Sequence, residues 1–108
     1  FTGQSIKCKD SCISFLNLSD VAYDMSAKTE VLKDGDNTRV NVTFNNPQSA
    51  KGRSQGLALK FGKGKVIVLG EAAMLSAQLN RDNSKFGMNV NPDNKILALN
   101  IIHWLAIK

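Results

Sequence analysis

At 108 residues, with 43% hydrophobic and 21% charged side chains, the chain has the size and composition of one globular domain spanning 1–108, with a single core. Its longest apolar run, 96–107, is interrupted by Asn100 and His103 and falls short of the roughly 18–20 residues of a bilayer span, so no membrane crossing is expected. The net charge of +5 is spread over scattered cations, with Lys60, Lys63 and Lys65 the nearest thing to a patch. The five Phe, one Tyr and one Trp are not interleaved with them as a base-stacking platform requires, which argues against nucleic acid as the partner.

The chain opens at Phe1 without the basic flank and apolar stretch of a secretory signal, so either a removed leader or a longer parent protein is expected. Cys8 and Cys12 follow in Cys-Lys-Asp-Ser-Cys. With one distant histidine they cannot complete a four-ligand zinc site, and the spacing is not that of a thioredoxin-like pair. A disulfide is sterically feasible if the chain turns at Asp10 and Ser11, and would suit an exported or periplasmic protein; two free thiols are the alternative. Neither a metal nor a cofactor is called for.

Residues 13–18 place apolar side chains at 13, 15, 16 and 18, as in a half-buried strand. Residues 20–38 are polar and turn-rich, with Val31 and Leu32 a short strand end before the break at 33–37. Asp34, Asp36 and Asn37 around Gly35 lack the rest of a calcium loop and read as a turn. Residues 39–44 alternate polar and apolar, predicting a strand with one wet face that ends at Asn45-Asn46-Pro47. A polar loop is expected over 47–54. The triplets beginning at Asn17 and Asn41 match the glycosylation acceptor pattern, which arises often by chance.

Residues 55–61 and 65–69 flank Gly62-Lys63-Gly64 and predict an antiparallel hairpin, the glycines supplying positive φ. The unbroken apolar run 66–69 predicts a strand covered on both faces, inside a sheet. A short helix is expected over 71–79 and a loop over 80–91. Asn91-Pro92-Asp93 then supplies an N-cap, a Pro at N1 and an acid in the first turn of a helix to about residue 106. That helix is apolar around most of its circumference and is expected to be buried, with His103 packed, Trp104 a core anchor, and Met74 and Met88 filling gaps. The expected fold class is therefore mixed α/β: a mostly antiparallel sheet of about four to six strands with the helix on one face.

Chemistry-bearing residues are sparse. Glu71 follows a buried strand and stands beside Gly70, which would let a ligand approach; Ser76 and Gln78 would line the same rim. Glu71 either works there as an acid or base or caps the helix it starts. Ser76 lacks both a partner base and a nucleophile elbow.

The Gly-Lys-Gly-Lys hairpin, the strand ending in Gly-Glu-Ala-Ala-Met at 70–74, the Gly-Met-Asn loop at 87–89 and the helix bearing Asn100 and Trp104-Leu105 resemble the C-terminal part of class I glutamine amidotransferase-like proteins, nearest the ThuA-like bacterial group. The resemblance covers roughly residues 54–106, with a weaker match in Phe-Thr-Gly-Gln at 1–4. It implies part of a flavodoxin-like fold, completed by parallel strands and helices beyond this chain. Active amidotransferases carry a cysteine on a strand-to-helix elbow and a His-Pro-Glu after a later strand. The corresponding strand end here reads Gly70-Glu71-Ala72, without the histidine, and neither Cys8 nor Cys12 sits in an elbow, so the resemblance implies no glutaminase.

The functional expectation is a non-catalytic binding or assembly module that self-associates to cover an exposed strand edge and could hold a small-molecule ligand at the Glu71 rim. The alternative is a small-molecule hydrolase or transferase in which Glu71 works with groups from a missing segment or a second subunit.

Overall fold

The computed structural model describes residues 2–107; Phe1, the first residue of the weaker N-terminal match, lies outside them. Mixed α and β structure is found, but the strands do not form one sheet. Among the described residues seven strands fall into three separate antiparallel sheets, followed by one helix. No parallel pairing occurs among them.

The body of the molecule is a three-stranded sheet of β1 (Cys12–Ser14), β4 (Gly56–Phe61) and β5 (Gly64–Leu69), in the order β1-β4-β5. β4 and β5 form the expected hairpin. Phe61 pairs with Gly64, and Gly62 takes φ +57° at the first position of the two-residue loop. β4, not β5, is the central strand. β5 lies at the edge, where Val66 and Val68 are 38% and 40% exposed; its apolar run is covered on one face only, by the helix.

The largest departure is at 20–49. The strand expected at 39–44 and the turn about Gly35 are present, but the turn-rich stretch before them and the loop after them are also strand: the chain builds β2 (Tyr23–Asp34) and β3 (Asn37–Ser49), a two-stranded arm turning at Gly35. Asn45-Asn46-Pro47 does not end β3. The chain absorbs it as a bulge: the partners step from Asp24 with Gln48 to Ser26 with Asn45, and Asn46 takes φ +54°. β2 and β3 pair with no other strand, and nearly every residue of the arm is exposed.

Residues 71–79 do not form a helix. A single 3-10 turn, Ala73–Leu75, leads into β6 (Ala77–Leu79), which pairs with β7 (Lys85–Gly87) inside the segment expected to be loop. Good helix formers lose here to a tertiary fit: Gly87 at φ +68° lies so close to the turn that an added Cβ would stand 2.0 Å from the Ser76 carbonyl oxygen.

The final helix, α1 (Pro92–Ala106), starts as its sequence predicts, the Asn91 side chain accepting from the Asp93 N–H at 2.9 Å. It is not buried. Leu97, Ala98, Ile101 and Trp104 face inward and are half covered, while Ile96, Leu99, Ile102 and His103 face outward and are exposed, because only one side of the helix has a neighbour. Lys65 of β5 holds its C-terminal end. The ammonium donates to the Trp104 carbonyl at 2.8 Å and to that of Ile107, and lies 5.0 Å from the Trp104 ring centroid. Lys65 is therefore a structural cation and not part of a solvated patch.

Little of the chain is inside. Among the described residues, Ser5, Ala50, Ser54, Gly56, Leu57, Ala58 and Gly87 are the buried ones. Ser54 is the hub: it exchanges backbone hydrogen bonds with Ile6, its hydroxyl donates to the Leu16 carbonyl at 2.7 Å, and the same oxygen accepts from the Gly56 N–H at 3.1 Å. Cys8 and Cys12 are joined by a disulfide with Cα atoms 5.9 Å apart.

Candidate functional site

The end of β5 is packed, not open. The Gly70 carbonyl accepts from the Gln4 N–H at 2.7 Å, and its own N–H donates to the Gln55 carbonyl at 2.8 Å. A Cβ at Gly70 would fall 1.9 Å from the Gln4 carbonyl oxygen, so the glycine admits the chain's own N-terminal segment where a ligand was expected.

Glu71 is half-buried, and its carboxylate is already engaged. One oxygen accepts from the Ala73 N–H at 2.8 Å. That bond, with further bonds from the Thr2 hydroxyl and the Ala72 N–H, holds its pKa below the ordinary 4.5. A carboxylate stabilised in its charged form over a 3-10 turn has the setting of a cap. Ser76 closes the other end of that turn, its hydroxyl donating to the Ala73 carbonyl at 2.7 Å. Gln78 is exposed on β6 and offers its backbone carbonyl to Asn89 at 3.2 Å. The expected rim thus resolves into caps and turn closures.

A concave site lies elsewhere. A cleft of about 820 Å³ opens where the arm leaves the body, between the N-terminal segment and the base of β2 and β3. Thr2, Gly3 and Gln4 form one wall of it; Glu71, Ser76 and Gln78 do not line it. At its floor the Ser5 hydroxyl, buried at 8% exposure, donates to Asp24 Oδ2 at 2.5 Å and accepts from Arg53 Nε. Arg53 also donates to the Ser5 carbonyl at 2.9 Å and stands 3.5 Å from the Asp24 carboxylate. The serine therefore has both of its bonding directions used and no histidine beside it; His103 is exposed on the far helix. Chemically this is a tie that fixes the arm's root to residues 5 and 53.

Sequence reasoning passed over Ser5, Asp24, Arg53 and Ser54, because isolated polar residues in irregular segments carry no periodic signal. The arm did carry one: Tyr23, Met25, Ala27, Thr29 and Val31 alternate with polar residues through β2.

A shallower apolar groove of about 440 Å³ runs between α1 and the β1 side of the sheet, walled by Ile13, Phe15, Ile67, Leu97, Ile101 and Trp104. Among the described residues no group of three His, Cys, Asp or Glu could hold a metal, and no helix is long and apolar enough to cross a membrane. No family model, no curated protein and no solved structure matches the chain.

Proposed function

We propose that the chain is a non-catalytic binding and assembly module, related to amidotransferase-like domains of flavodoxin-like fold, and that it works by associating with further copies of itself. The observation that carries this reading is exposed surface. The accessible area is 8653 Å², against about 5,900 Å² for a compact monomer of 11.8 kDa. Large apolar side chains contribute to it: Val31, Val40, Phe44, Leu99 and Ile102 are each 58–63% exposed. Apolar surface in contiguous patches marks interfaces. The engagement of Glu71 by backbone donors supports the assembly role over proton transfer, and the hairpin and terminal helix are the elements on which the amidotransferase-like relation rests.

Sedimentation equilibrium over a wide concentration range tests the reading. A mass of at least twice the chain's is expected; a single monomeric species up to high micromolar concentration sinks it.

A further inference from the structure

The arm separates its residues by face. Cross-strand partners in an antiparallel pair share a side. Ala27 with Phe44, Thr29 with Val42 and Val31 with Val40 therefore form one face, and Lys28 with Thr43, Glu30 with Asn41 and Leu32 with Arg39 form the other. From Ala27 to Val31 the first face is apolar but for Thr29, with the Lys33–Thr38 pair continuing it at the tip, and Val31, Val40, Val42 and Phe44 in it are 49–60% exposed. The second carries a 2.8 Å ion pair between Lys28 and Glu30. We infer that the apolar face of the β2–β3 arm packs face to face on the same face of a second copy, the two arms running antiparallel. The inference rests on the assembly reading and names its interface.

Several observations favour this occupant. A two-stranded ribbon is marginal alone in water, and an apolar face laid on another sheet is what stabilises one. The arm spans about 40 Å, yet among the described residues no third strand and no helix covers it. The surface excess of roughly 2,700 Å² per chain is larger than the ~800 Å² per partner that a standard interface buries, so two copies meeting through their arms need only part of it. A face that meets its own copy closes after two subunits and leaves the charged faces in water. Both ends of the arm carry both signs, Lys33, Asp34, Asp36 and Arg39 at the tip and the Asp20–Lys51 pair at the root, so antiparallel stacking brings no block of like charge together. Asp34 and Asp36 at the tip also disfavour insertion of the arm into a bilayer.

Val42→Lys and Asn41→Lys make the test. The two positions adjoin on β3 and point to opposite faces. Both are exposed, so neither lysine disturbs a packed core; matching circular dichroism and melting in the monomeric state check this. In sedimentation, Val42→Lys is expected to weaken dimerisation roughly a hundredfold, since the lysine meets its own copy in a dry interface, while Asn41→Lys leaves it unchanged. A wild-type oligomer that is indifferent to Val42→Lys overturns the arm interface and leaves self-association standing. Equal loss in both variants overturns the assignment of the face. A wild-type chain that is monomeric throughout overturns both.

Discussion

Gly70 is where a single residue most constrains this molecule. Its missing Cβ lets the N-terminal segment lie against the end of β5, so Gly70→Ala must push Gln4 away. The expected loss is about 2–3 kcal/mol of stability, measured by denaturant unfolding, from overpacking against backbone. Glu71 makes a separate prediction. Because its folded pKa is depressed below 4.5, its contribution is present above that value and is lost as pH falls through the folded pKa. Glu71→Gln should therefore destabilise at neutral pH, with the gap from wild type closing as the solution is acidified below about pH 4.5. A gap that stays constant across that range would show that the carboxylate charge does not matter to the cap. Neither role is legible from residue identity: glycine and glutamate after a strand look alike whether they admit a ligand or a neighbouring backbone.

Between β5 and α1 the decisive contact is Lys65, whose ammonium meets two terminal carbonyls and the Trp104 ring. Lys65→Met keeps the alkyl stem and removes the charge. It should cost about 1–2 kcal/mol and speed amide exchange in the last turn of α1, while the N-terminal turn, capped by Asn91, keeps its protection. Exchange that rises equally at both ends would mean the lysine does not act at the terminus. The element scale also shows what patterning reaches. The β4–β5 hairpin and the start of α1 were legible because a two-residue glycine loop and an Asn-Pro-Asp cap are local chemistry. The helix expected at 71–79 was not realised. Its alanines and leucines favour a helix, but strand pairing of 77–79 with 85–87 and the close approach of Gly87 to Ser76 are set by residues six to eleven positions away. The middle of β3 was legible in the alternation of 39–44, but most of β2 was hidden for the opposite reason: its period-2 signal runs through turn-forming residues that, taken singly, argue against a strand.

As a whole the molecule is long and thinly packed, with extents of 58 × 34 × 28 Å and a radius of gyration of 17.6 Å, against about 13 Å for a compact domain of this length. Its interior hub is a serine, and large apolar side chains on the arm and on the outer side of α1 stand in solvent. A protein whose folded state is coupled to association gains stability with concentration. Its melting temperature should therefore rise as protein concentration is increased in calorimetry, and a midpoint independent of concentration would count against the coupling.

The sequence alone determined the features that depend on near neighbours: mixed α and β content, the hairpin about Gly62, the break at Gly35, the cap at Asn91 and the apolar character of α1. Tertiary structure alone decided which strand is central, that Gly70 and Glu71 serve the chain's own backbone, that Lys65 belongs to the helix end, and that the apolar faces of the arm and of α1 lack cover. Local propensity and hydrophobic period report what a segment can become and which side is apolar. Which partner that side meets depends on residues far along the chain, and only the assembled geometry contains that information.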